Sequence, residues 1–489
     1  MIDQQHPLSI LASQMPWEQL EKALAPFFEH KNKPGKLIVE DGLFGPSERL
    51  VGHGVSNAGR PRLPFRLMSG LLYLKHAYNL SDEQLVERWA DSVHWQYFCG
   101  QDYYEPRFPC DPTQIGRFRK TIGEAGCEEL LKASIDAAVQ MKAIKPSEFE
   151  QIIVDTTVVE KAIAYPTDSR LLEVARYQLV KAAKVVGIKF KQTYAQEGKQ
   201  LRCKAGRYAH AKQFKRMKRA IKRQKTILGI VVREVQRKLK ANKPGSSLTL
   251  IKLNELLVKA QRLIVQQPKD KNKLYALHAP EVECISKGKA HKRYEFGVKG
   301  SFAITNKQCL IVGARSFPGS PYDGHTLAEQ LEQTNILLKD HGTNPKEVAV
   351  DLGYRGVDAE NPDVRIIHRG KYKSLSKAER KRLKRRQAVE PIIGHLKSDH
   401  GMARNWLKGS FGDAVHVVLC AAGFNFKWLL RAIARFSRLF LAFLLSSPLS
   451  DGLVNFPTAM KRVLQRKISF AQLKNFVWKW RGREFLLIN

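Results

Sequence analysis

The chain is poor in acid and has no thiol pattern. Its 489 residues hold 83 Lys and Arg against 46 Asp and Glu, a formal net charge of +37. So few carboxylates exclude an ordinary near-neutral surface. Self-repulsion at this charge opposes compaction, so a polyanionic partner is expected, nucleic acid first and an anionic membrane surface second. The seven cysteines (Cys99, Cys110, Cys127, Cys203, Cys284, Cys309 and Cys420) are odd in number, scattered, and form no C-x-x-C pair. That argues against a disulfide framework and against a thiolate zinc site, and fits a reducing cytosol. Internal repeats and low-complexity tracts are lacking. The opening Met1 to His6 lacks the basic-then-apolar order of a signal peptide. A clean membrane-length apolar run is lacking too. The stretch from Ala414 to Leu445 is interrupted by Lys427, Arg431, Arg435 and Arg438, and the run after Arg438 falls far short of the ~20 apolar residues a bilayer requires. It reads as a buried or partner-facing helix.

What is there is an ordinary hydrophobic fraction of 43%, enough for a large core or for two to four units. Residues 1–145 read as helical. Ser81-Asp-Glu-Gln84 has the form of a capping box, and Asp111-Pro112 offers an N-cap followed by proline at the first helical position. The helix that follows carries Arg117, Arg119 and Lys120. They are either part of a helix-turn-helix-like DNA reader or surface charges on a small helical domain.

Near residue 150 the pattern turns to β-branched residues. Gln151-Ile-Ile-Val-Asp155-Thr-Thr-Val-Val159 is too short for a typical helix and reads as a buried strand carrying a carboxylate. Residues 170–273 then form a helix-rich block with 29 Lys and Arg against 5 Asp and Glu, so 24 of the net +37 sits there. Its densest run holds Lys215, Arg216, Lys218, Arg219, Lys222 and Arg223, while Phe214, Met217 and Ile221 keep a spacing that lets one side pack. A solvated face is the usual reading of such a run; at this density of one sign, phosphate contact is favoured. Strands return with His291 to Thr305 and Gln308 to Phe317, a hairpin turning at Asn306-Lys307. Asp323 and His325 in the next turn read as cap and turn residues rather than metal ligands.

Glu347 to Asp351 and Asp363 to His368 are two further short strands, and a strongly basic helical segment after them carries Glu390. A lone Asp155 would read as a turn residue; the company of Asp351 and Glu390 changes that. On a helix Arg386, Glu390 and Lys397 fall on roughly one face. Pro391 sets Glu390 either at a helix start or at a kink. A hairpin followed by strands joined through a helix implies an α/β unit, a mixed sheet with helices on its faces.

This order of elements, with Asp155, Asp351 and Glu390 in sequence, resembles the catalytic domain of bacterial insertion-sequence DDE transposases. It is most similar to the insertion sequence five group, marked by a Tyr-x2-Arg-x3-Glu-x6-Lys signature. Arg386, Glu390 and Lys397 match it; Leu383 stands where the tyrosine is expected. The likeness extends to Gly59-Arg-Pro-Arg62, Tyr165-Pro-Thr-Asp168, Pro321-Tyr-Asp-Gly-His-Thr-Leu327 and Glu390-Pro-Ile-Ile-Gly-His-Leu-Lys397.

The resemblance implies a ribonuclease H-like core over residues 146–170 and 275–410, a helical DNA-binding domain over 1–145, a basic helical insertion over 171–274 after the first strand, and a C-terminal helical region over 411–489. It implies a transposase whose Asp155, Asp351 and Glu390 are catalytic and bind two Mg²⁺, with Mn²⁺ as an alternative. Lys397, Arg386 and Arg355, the six basic-run residues, Arg117 and Arg119 are the expected DNA contacts. The partners implied are double-stranded DNA, as terminal inverted repeats and as target, and a second copy of the chain in a homodimer or higher oligomer. The expected setting is the bacterial cytoplasm at the nucleoid, with no membrane partner. A non-catalytic DNA-binding relative and a structure-selective nuclease are the alternatives.

Overall fold

The computed structural model describes residues 2–28, 33–42, 45–54, 62–242, 248–267, 269–286 and 292–446. Two short helices, α1 (Pro7–Gln14) and α2 (Trp17–Leu24), precede an antiparallel pair, β1 (Lys33–Gly42) and β2 (Gly45–Gly54). This pair corrects the all-helical reading of the first 145 residues. Its sequence is rich in glycine, which disfavours helix, and the Leu37-Ile-Val39 run suits a pleated strand. Then come α3 (Phe65–Tyr78), α4 (Asp82–Ala90), α5 (Val93–Phe98) and α6 (Pro112–Gln140). The local signals hold: Ser81 and Gln84 form the capping box of α4, and Asp111 caps α6. Helix α6 is broken at Gly123, whose φ of 67° lies where a side chain would be strained.

The second part opens with β3 (Gln151–Glu160), followed by α7 (Asp168–Val185), α8 (Ala195–His210), α9 (Phe214–Asn242) and α10 (Leu248–Val265). Strands β4 (Glu283–Ser286), β5 (Tyr294–Thr305) and β6 (Ile311–Phe317) lead to α11 (Leu327–Leu338), β7 (Glu347–Ala349) and β8 (Arg365–Ile367). Helices α12 (Lys377–Arg385), α13 (Val389–Asp399) and α14 (Gly409–Ser446) complete the described chain.

The strands make one mixed sheet in the order β4-β5-β3-β7-β8, with β6 also paired to β5. The β3/β5 and β5/β6 pairs are antiparallel, while β3/β7 and β7/β8 are parallel. β3 is central, apolar on both faces except around Asp155 and Thr156. Helix α14 packs on α3, α6 and β6 and is the apolar run noted above. It is long and apolar enough to cross a membrane by composition, yet 72% of that stretch is buried inside the protein, as a core helix is. Asn425 fixes it to the sheet: its side chain bonds both Ile311 N (3.0 Å) and Ile311 O (2.8 Å).

Among the described residues two large hydrophobic cores result, beside a small cluster at Ala276, Ala279 and Val282. One runs continuously from the N-terminal helices through the sheet to α14. The other, formed by Leu172, Leu179, Leu228, Val231, Leu253 and Leu257 among others, belongs to α7–α10. Each fully buried Leu or Val contributes roughly 1.5–3 kcal/mol, so the helical block carries its own stabilisation. Its packed stripe on α9 begins at Ala220 rather than at Phe214, which is 55% exposed. Residues 450–489 and Gly59 to Pro61, both singled out in the sequence, lie outside the described residues.

Candidate active site

The parallel register between β3 and β7 pairs Ile152 with Val348 and Ile153 with Ala349. Two residues further along each strand stand Asp155 and Asp351, so the ladder itself carries the two aspartates to neighbouring positions at one end of the sheet. Neighbouring strands lie about 4.8 Å apart. Each aspartate is then oriented by a backbone N–H. Thr156 N donates to Asp155 Oδ1 (2.8 Å), and Gly353 N donates to Asp351 Oδ1 (2.8 Å) where Asp351 caps a 3-10 turn.

Glu390 arrives from the other side. Helix α12 ends in a 3-10 turn, Arg386–Ala388, and α13 begins at Val389, so Glu390 sits in its first turn. The helix start, not a kink, accommodates Pro391: the third position of a helix has no intrahelical N–H bond to lose. Arg386 spans the two sides. Its Nη1 lies 3.2 Å from Asp155 Oδ2 and its Nη2 lies 4.0 Å from Glu390 Oε1. Glu390 is 68% exposed. Among the described residues the three carboxylates do not form a group with all ligand atoms within 4.8 Å of one another. Like charges repel until a cation offsets them, and here the guanidinium does so. An all-oxygen donor set, part-exposed and already hosting a cation between two of its members, fits a hard divalent ion.

A fourth carboxylate belongs to this end of the sheet. Asp323 accepts from Thr156 Oγ1 (2.7 Å) and from Lys299 Nζ (2.8 Å). Its backbone carbonyl makes the turn by accepting from Thr326, but its side chain caps nothing. The cap role therefore gives way to a role beside the aspartates. A Cβ at Gly353 would meet Asp351 Oδ1 at 3.0 Å and Asp323 Oδ2 at 3.1 Å. Buried Tyr354 has its phenol pKa raised by desolvation and then by Asp155, Asp323 and Asp351, so it stays protonated. His325 is exposed and packs edge-on against Tyr322, apart from the carboxylates. Sequence reasoning passed over Asp323 although it lies in the quoted Pro321 to Leu327 motif. It also missed Thr156 and Lys299.

Asp351, Arg386 and Glu390 line a cleft of about 630 Å³ together with Arg369, Tyr372, Arg380 and Lys384. Arg380 lies over the Tyr372 ring at 4.8 Å. Leu383, at the signature's tyrosine position, is buried in the main core. The cleft lining joins two carboxylates, Asp351 and Glu390, to Arg369, Arg380, Lys384 and Arg386, a combination suited to a phosphodiester beside a divalent cation.

The other expected DNA contacts divide. Lys215, Arg216, Lys218, Arg219, Lys222 and Arg223 are all exposed on α9, as are Arg117 and Arg355. Arg119 is not: it is 8% exposed and points to Asp82 (3.5 Å), because α6 packs this side against α4. It is a core ion-pair member in this fold rather than a surface cation. Lys397 does not share the Asp351 cleft. The break before α13 separates it from Arg386, and it lines a second cleft with Arg404, Trp406 and the end of α3.

The family described as a transposase domain matches residues 35–121, and the family described as a transposase DDE domain matches residues 359–430, which hold Arg386, Glu390 and Lys397. An uncharacterized protein, ORF8 in the nfe locus of Rhizobium meliloti, is 49% identical over 156 residues, or 32% of this chain and 75% of that protein. No solved structure matches.

Proposed function

Since the chain belongs to the bacterial insertion-sequence DDE transposases, metal-dependent enzymes of DNA cleavage and strand transfer, we propose that it binds the terminal inverted repeats of an insertion sequence, frees their 3′-hydroxyls and joins these to target DNA. The observation that carries this reading is the β3/β7 register, which sets Asp155 beside Asp351, with Arg386 linking Asp155 to Glu390. Residues 146–170 and 275–410 are read as a ribonuclease H-like catalytic unit, supported by a strand order in which an antiparallel hairpin precedes two parallel strands. Residues 1–145 act as the end-binding unit, residues 171–274 as the basic insertion and residues 411–489 as a C-terminal helical region. A homodimer or larger assembly pairs two ends, in the bacterial cytoplasm at the nucleoid.

Asp155, Asp351 and Glu390 would hold two Mg²⁺, or Mn²⁺ in their place. Such ions, when bound, activate the attacking oxygen and neutralise charge at the phosphorus and the leaving oxygen. The chain's own work is orientation. Backbone N–H groups hold one oxygen of each aspartate, and Arg386 contacts the second oxygen of Asp155. Asp323 holds Thr156 and Lys299 in place behind Asp155. Arg386 screens the carboxylates and can turn to a phosphate once they are otherwise neutralised. Arg369, Arg380 and Lys384 grip the backbone along the cleft, while the exposed cations of α9 take up flanking duplex.

Purified protein, labelled terminal-repeat duplex and Mg²⁺ provide the test. Nicking and strand transfer that Glu390→Gln abolishes are expected. Activity untouched by that change would remove the site assignment. Binding with no cleavage under any divalent ion would favour a DNA-binding relative that has lost catalysis.

A further inference from the structure

Away from the carboxylates, three other ligand-type side chains meet in the core. His76 lies in the last turn of α3, and His416 and Cys420 lie one turn apart on α14, hence on one face. They are 6%, 7% and 0% exposed. One ligand atom from each lies within 4.8 Å of the others. Cys420 Sγ is 3.8 Å from His76 Nδ1 and 3.7 Å from His416 Nε2. Tetrahedral coordination with Zn–N near 2.0 Å and Zn–S near 2.3 Å sets such N···S pairs about 3.5 Å apart. His76 Nε2 is buried with no hydrogen-bond partner.

We propose that His76, His416 and Cys420 form a structural site for a borderline-soft cation, zinc being the best fit, that pins α3 to α14. Two imidazoles and a thiol without a carboxylate select zinc or copper(I) over the hard ions suited to the Asp351 cleft. Of the two imidazoles, that of His416 is held by a backbone group, as metal-binding histidines usually are, while His76 is held through its own carbonyl. The His416 ring is bonded to the Gly401 backbone, and His400 Nδ1 lies 2.9 Å from the His76 carbonyl. Access exists, since His76 and His416 line the cleft of about 550 Å³ that also holds Lys397 and Trp406. Nearby Lys75 and Arg119 are engaged by Asp82 at 2.8 and 3.5 Å, which reduces their opposition to a cation. Coordination releases the Cys420 proton to solvent, so a divalent ion adds one net positive charge rather than two. No C-x-x-C spacing announces this site because its members come from positions 340 residues apart; the absence of that pattern excluded only local thiolate motifs.

The test uses the full chain, stripped of metal and titrated with Co²⁺ and then Zn²⁺. One equivalent of Co²⁺ should produce thiolate-to-cobalt charge-transfer absorption and tetrahedral ligand-field bands, and Zn²⁺ should displace it and raise the melting temperature. The carboxylate cleft contains no thiolate and cannot give this signal, so the result is independent of the proposed reaction. Cys420→Ser should lose the charge-transfer band and at least tenfold in affinity, whereas Cys203→Ser, an exposed cysteine, should keep both. A folded parent chain that gives no such band, or a band that Cys420→Ser leaves intact, overturns the proposal.

Discussion

The basic helical block and the carboxylate end of the sheet handle charge in opposite ways. In α7–α10 three of the few acids are engaged within the block: Glu173 by Arg176, Glu197 by Arg223 and Glu234 by Lys238. The remaining cations of α9 face outward, available to a polyanion. Around Asp155 of β3 the acids are in excess, and Arg386 and Lys299 are drawn in to offset them. The difference teaches that net charge marks where DNA can lie, while the local surplus of carboxylate marks where a reaction can occur.

The sharpest way to break this contrast is to remove acid from the acidic end. Asp155→Asn or Asp351→Asn should reduce cleavage of labelled terminal-repeat duplex by on the order of 10³-fold or more, with duplex affinity changed about twofold. An Asp351→Asn protein that still cleaves would erase the distinction between the regions. Next in size is a buried acid that is structural. Asp413 lies 2.7 Å from Lys161, with side chains 6% and 4% exposed. Asp413→Ala should cost about 3 kcal/mol, the low end for a broken buried pair because Glu281 still contacts Lys161 at 2.9 Å. Denaturant unfolding of the variant measures this.

Replacing Lys215, Arg216, Lys218, Arg219, Lys222 and Arg223 with Gln should weaken duplex binding by roughly two orders of magnitude near 0.15 M salt. The slope of log affinity against log salt should fall by up to ~5, about 0.9 per lost phosphate contact. Single-turnover cleavage of saturated complexes should hardly change; a large drop there would mean that the block reaches the reaction centre. Smallest, Asp323→Asn should slow cleavage about tenfold by freeing Lys299 and Thr156, without loss of the fold. Thermal melting and single-turnover rates on one preparation separate these two effects.

Much of this was legible locally. The capping box at Ser81, the N-cap at Asp111 and the strand carrying Asp155 are set by short-range rules, and each appears where those rules put it. The β1/β2 pair was not legible, because a glycine-rich stretch without clean alternation gives neither period clearly. Arg119 looked like a surface cation because the sequence does not state which side of α6 meets α4. Asp323 looked like a cap because a turn with Asp before Gly has that form whether or not the side chain serves the turn. Lys397 looked like a neighbour of Arg386 on one continuous helix, and the 3-10 turn removes that continuity.

By itself, the sequence carried the charge excess that calls for a polyanionic partner, the alternation of helix and strand, and the order of Asp155, Asp351 and Glu390 with the Arg-x3-Glu-x6-Lys spacing. These rest on composition and on interactions within a few residues. Only the tertiary structure decided which groups face one another across the sheet and between α3 and α14. Strand register set Asp155 beside Asp351 and drew in Asp323, and helix packing brought His76 to His416 and Cys420. The physical reason is that local rules orient a side chain within its own element, whereas burial of the shared core fixes how separate elements are seated against each other.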